Sequence, residues 1–249
     1  MTLLAVERIK LFSTRSPYWC AALAIAMAVG FSALLAANAE TVSVDLTQAG
    51  SRLALVVVLV LGALAVTTEY RFGTIRATFL AVPNRTSALV AKTAVVAVVA
   101  GVIGEVVAFG SWAMAKVIKP SADLAINSSA EWRNVAGVGL MFAIGAILAV
   151  AVGILVRQTA GAVAILLVWS MLLENLVGII PKVGVKIQAW LPFMNADHFL
   201  AVNPPSQAES EAAEAVVYKL SQWGSLGYYA GIAVALLVVA LVVAKRRDA

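Results

Sequence analysis

Two glutamates stand inside apolar runs that are otherwise free of charge: Glu105 interrupts residues 93–115 and Glu174 interrupts residues 158–181. An acid at the centre of a hydrocarbon-embedded helix costs about 2.5 to 3.5 kcal/mol, so each carboxyl needs a partner, a cavity or an interface. Their chemistry is either structural, a hydrogen-bonded acid holding helices together, or functional, a polar lining for a path across the apolar layer. Glu174→Gln is expected to keep the fold by preserving hydrogen bonding, whereas Glu174→Leu leaves a partner unsatisfied. The remaining reactive residues are isolated. His198, the single histidine, follows Asp197 in a connecting segment and reads as a surface residue, and the lone Cys20 excludes an intramolecular disulfide and a thiolate metal cluster. A G-x-x-x-x-G-K-[ST] phosphate loop is absent, so the chain does not read as a nucleotide hydrolase. No catalytic, cofactor-binding or metal set emerges.

The elements that position these residues follow from composition. At 62% hydrophobic and 12% charged residues, with a mean hydropathy of +0.96, the chain carries more apolar surface than a soluble core can hide. A hydrocarbon layer of about 30 Å needs roughly 20 helical residues. The apolar runs predict an all-α polytopic membrane protein, a single transmembrane domain with spans near 17–38, 48–68, 93–115, 134–156, 159–181 and 224–244. The second run is short, and Arg52 near its start is expected to snorkel to the interface. Lysine and arginine concentrate before the first span, between the second and third, and after the sixth, which predicts both termini in the cytoplasm. The formal charge of +5 is then a signature of topology, not of nucleic-acid binding.

Three connectors stand out. Residues 1–19 intersperse Leu3, Leu4, Val6, Ile9, Leu11 and Phe12 with Glu7, Arg8 and Lys10, a spacing that predicts a helix lying in the membrane interface. Residues 69–92 form the substantial inner loop, in which Gly73 and Pro83 bracket a short helix, 74–81. Residues 182–223 are too apolar at their start for a free loop and too broken by proline to span. They predict a re-entrant or interfacial helical piece with Trp190, Leu191 and Phe193 closing an outer gate, Asp197 and His198 turned to water, and an acidic helix over 209–214. Small residues at intervals of four, Gly145, Ala149 and Gly153 in the fourth span and Gly227 and Gly231 in the sixth, suit close helix contacts within a subunit or across a dimer.

The inner loop resembles the first cytoplasmic loop of bacterial ABC-2 type transporter permeases, especially those of high-GC Gram-positive bacteria. The resemblance rests on Glu69, Tyr70, Arg71, Gly73, Thr74, Ile75, Arg76, Thr78, Ala81, Pro83 and Arg85. The start of the chain is similar to the same family at Glu7, Lys10, Thr14, Arg15, Ser16, Tyr18 and Trp19, and its later part at Trp169, Glu174, Leu191, Pro192 and Phe193. The resemblance implies a non-catalytic permease subunit of an exporter in the bacterial cytoplasmic membrane. It implies two partner ATPase subunits, which would hold ATP and Mg, and a second permease copy or homologue. Coupling to the ATPase would fall to Glu69, Tyr70, Arg71, Gly73, Arg76, Glu7, Lys10 and Arg15. An ATP-independent channel or ion-coupled carrier working through Glu105 and Glu174, or a membrane scaffold without transport, are the other classes the residues admit.

Overall fold

The computed structural model describes residues 2–82, 84–181, 183–204 and 216–246. Pro83 of the family-like motif, the expected acidic helix over 209–214 and Arg247 lie outside the described residues. Six helices among those described are long and apolar enough to cross a membrane, and the described secondary structure is helical throughout. The protein is therefore a multi-pass membrane-helical bundle.

The chain opens with α1 (Leu3–Phe12), which leads into α2 (Ser16–Asn38) with Pro17 in its first turn, where a missing N–H costs no hydrogen bond. A short α3 (Val44–Thr47) precedes α4 (Ser51–Arg71), and the break between them is satisfied from neighbouring helices. Ser32 Oγ donates to the Thr47 carbonyl at 2.6 Å and Gln48 Nε2 to that of Ala108 at 3.1 Å. In hydrocarbon such freed backbone groups persist only when protein supplies the partner. After α5 (Thr74–Ala81) comes α6 (Arg85–Ile118), which Asn84 caps through its side chain. It begins well before the apolar run at 93 because Ser87, Ala88, Leu89 and Ala91 continue the helix. The next helix, α7 (Ser129–Val156), starts on a capping box, in which Ser128 Oγ accepts from Glu131 N–H and Glu131 Oε2 accepts from Ser128 N–H.

The bundle is built around α7, the most buried of the six, which packs on α4, α6 and the last helix. Backbones approach closely at two glycines. A Cβ at Gly104 would stand 2.8 Å from Gly139 Cα of α7, and one at Gly62 would stand 2.8 Å from the Ala149 methyl. Without a hydrophobic drive between helices in lipid, van der Waals contact of this kind carries association. The Gly145, Ala149 and Gly153 series is thus used inside the subunit, against Leu55, Gly62 and Val66 of α4, while Gly227 and Gly231 have open space beside them.

The fifth span changes its winding along its length. It consists of α8 (Thr159–Leu167), a π-helical stretch (Val168–Leu173) and α9 (Glu174–Val177), ending before the expected 181. Two short helices, α10 (Gly184–Gln188) and α11 (Pro192–Leu200), then fold back before α12 (Gln222–Arg246). We term the end carrying α1 and α5 the proximal face and the end carrying α3, α10 and α11 the distal face.

Candidate functional site

The proximal face holds a closed ring of four charges. On α1, Glu7 and Lys10 are three residues apart and share one helix face. Glu69 ends the apolar part of α4, and Lys92 lies two turns into α6. Glu7 Oε1 pairs with Lys10 Nζ at 2.8 Å and Glu7 Oε2 with Lys92 Nζ at 2.5 Å. Glu69 Oε1 receives both lysines at 2.8 Å. Glu7 and Lys92 are buried, and Lys10 reaches on to Thr78 Oγ1 of α5 at 3.1 Å. Burial works to lower the Lys10 pKa, but hydrogen bonds to Glu69 and Glu7, with the charges they carry, outweigh it and hold the ammonium above the ordinary lysine value. The ring is neutral in sum, and it fastens α1 to α4, α5 and α6 at one point. Leu4 and Ile9 of α1 point away from it and are half-exposed, so this helix turns Glu7 and Lys10 inward and these two apolar side chains outward. A pocket of about 460 Å³ adjoins the ring, walled by Leu11, Leu61, Leu64, Ala65, Val95 and Val96.

Beside the ring, α4 turns into α5 through Gly73, whose φ of 70° lies in the left-handed region. No neighbouring atom crowds the position, so the glycine is required by backbone conformation and not by space. Ile75 anchors α5 and is 2% exposed, whereas Phe72 is 71% and Leu80 86% exposed, with Arg71 and Arg76 exposed beside them. The result is a presented surface of two apolar side chains and two guanidiniums. Tyr70 lies beneath the guanidinium of Arg157, 5.1 Å from its ring centroid. Arg157 closes α7 with a φ of 59°, a left-handed conformation that costs a side-chain-bearing residue roughly 1–2 kcal/mol. The structure thus brings Glu7, Lys10, Glu69, Tyr70, Arg71, Gly73 and Arg76 to one face. Arg15 is exposed in the turn between α1 and α2 and does not join the ring. Lys92, counted in the sequence only as loop charge, is the member that closes it.

On the distal face Glu174 is fully buried, and its two oxygens accept the backbone N–H groups of Phe193 (3.1 Å) and Met194 (2.8 Å). These are orphan donors of the first turn of α11, next to Pro192, which has no N–H to offer. Glu174 is therefore the N-terminal cap of another helix, favoured also by the positive end of the α11 dipole. Arg52, at the distal start of α4, is held by protein groups. It donates to the carbonyl of Ser170 in the π-helical stretch (3.0 Å) and to that of Phe193 (3.3 Å), and forms an ion pair with Asp197. The π-helix offers carbonyls that a regular helix keeps for itself, and Asn175 Nδ2 takes that of Met171 at 2.8 Å.

The expected gate residues separate. Phe193 is fully buried, with its ring on Trp169 and Tyr229. Leu191 is half-buried, and Trp190 is exposed, its ring edge against Tyr228 and its carbonyl accepting from Tyr228 Oη at 2.8 Å. Of the pair expected to face water, Asp197 is exposed and His198 is half-buried. Its ring stacks on Tyr218 at 4.0 Å and Nδ1 lies 2.9 Å from Ser225 Oγ of α12. Burial, helped by the charge of Arg133, holds its pKa below the ordinary value. The unfolded chain therefore binds the proton more readily than the folded protein, and stability is full above pH ~6.5 and falls as pH drops through the His198 window. The thermal midpoint in detergent is expected to fall between pH 7.5 and 5.5 by more in the parent protein than in His198→Gln. An equal fall in both would exclude His198 as the source.

Glu105 takes a third environment. Its carboxyl lies over Gly139 of α7, where a Cβ would come within 2.2 Å of Oε1. In comparison with known proteins, no family model matches this chain and no curated protein matches it.

Proposed function

We propose that this protein is the membrane permease subunit of an ATP-driven exporter, working with two ATPase subunits and a second permease copy, its proximal face in the cytoplasm. The observation that supports the reading most directly is the ring of Glu7, Lys10, Glu69 and Lys92. It ties α1, α4 and α6 together at the base of α5, so that a load applied to α5 reaches two spanning helices at once. The exposed Arg71, Phe72, Arg76 and Leu80 have the character of a contact surface: apolar anchors beside cations that steer an acidic partner. The chain's own chemistry is then mechanical: it transmits a push and makes or breaks no bond. The carrier alternative loses force at Glu174, whose oxygens are engaged by the α11 backbone.

The test is the double charge reversal Arg71→Glu and Arg76→Glu. Both side chains are exposed, so the protein is expected to insert and fold. Affinity for its ATPase partner, measured by co-purification with a tagged copy, should fall at least about 10-fold, equivalent to about 1.4 kcal/mol, with ATP-driven transport lost in parallel. Undiminished ATP-dependent transport by the double variant would exclude α5 as the transmission element.

A further inference from the structure

Glu105 stands near the middle of the 34-residue α6, with no other charge between residues 93 and 115. It is half-buried, and no ion pair or hydrogen bond reaches it among the described residues. At helical spacing it lies within a strip formed by Val98, Val102 and Phe109, which are 67%, 59% and 37% exposed. Gly101, one turn before it, and Gly139, across on α7, carry no side chains that could cover it. The carboxyl thus rests in a notch between two helices, open on the outer side that carries Val98 and Val102. Glu174 is the opposite case in the same molecule, fully buried with each oxygen bonded to a backbone N–H. An ion without a partner in an apolar medium is strongly disfavoured, and the neutral acid is the form such a position admits.

We propose that Glu105 is a neutral carboxylic acid open to the hydrocarbon, a site for bilayer-dissolved electrophiles and hydrogen-bond-accepting lipophilic ligands that water-soluble reagents do not reach. Its reaction with a hydrophobic carbodiimide balances without a further reagent. The acid proton passes to one carbodiimide nitrogen and the carboxylate oxygen bonds to the central carbon, giving an O-acylisourea. Migration of the acyl group from oxygen to nitrogen then gives a stable N-acylurea, with nothing oxidised and no group lost.

The experiment treats membranes containing the full chain with dicyclohexylcarbodiimide and maps adducts by mass spectrometry. The expected result is an adduct on Glu105 and none on Glu174, with little labelling of Glu105 by a water-soluble carbodiimide. The readout is on the parent protein, so it does not depend on a variant folding, and Glu105→Gln serves to confirm the assignment by removing the adduct. An unlabelled Glu105 would overturn the proposal, as it would if a second copy covered the α6 strip. Equal labelling by the water-soluble reagent would also overturn it, by showing a watery path at this position.

Discussion

Lys92→Met is expected to destabilise the protein by about 3–5 kcal/mol, the range for removing one partner from a buried ionic cluster. Lys92 is the buried cation between Glu7 and Glu69. Without it two carboxylates converge on Lys10 alone, which is partly exposed and already shared with Thr78. Much of the loss is therefore a penalty for stranded charge and not the worth of the contacts themselves. That distinction is measurable. Replacing all four members together, Glu7→Gln, Lys10→Met, Glu69→Gln and Lys92→Met, removes the desolvation cost along with the attraction and should recover most of the stability. Thermal unfolding in detergent compares the two. A single variant as stable as the fourfold one would show that the ring is not a coupled unit.

Glu174→Leu is expected to cost a similar amount, about 3–5 kcal/mol, by removing the cap of α11. Phe193 and Met194 N–H would be left buried without acceptors, and Arg52 would lose the carboxylate that acts on it electrostatically. The geometry also revises the view that Gln is a harmless replacement. A carboxylate offers an oxygen to each N–H, whereas an amide offers one oxygen and turns its NH2 towards the second donor. Glu174→Gln should lose about 1–3 kcal/mol, the cost of one unsatisfied buried donor, and fall between the parent and Leu. Hydrogen exchange of the Phe193 and Met194 amides gives a local readout, with one amide deprotected by Gln and both by Leu. Unchanged protection in Glu174→Leu would rule out the capping role.

Local pattern carried much of the architecture. The apolar runs, the Gly73 turn into α5, the proline at the start of α11 and the helical course of α1 are all written in neighbouring residues. What escaped was set by distance along the chain or by backbone detail without a residue code. Lys92 meets Glu7 across 85 positions, and nothing near either residue announces the other. The π-helical stretch over Val168–Leu173 contains no proline or glycine to betray it, and the carbonyls that Arg52 serves lie 118 and 141 positions away. The partners of His198 were hidden for the same reason, since Tyr218, on which its ring stacks, lies 20 residues on.

The ring of four charges has a natural seam. Glu7 and Lys10 both belong to α1, while Glu69 and Lys92 belong to the bundle, and each of these couples is joined by its own 2.8 Å ion pair. Parting α1 from the bundle breaks only the Lys10–Glu69 and Lys92–Glu7 edges and leaves two neutral couples, each charge still matched. Separation along this seam would therefore strand no lone ion, unlike the loss of a single member. The fastening is costly to break at any single member, whereas a division along the seam keeps every charge matched.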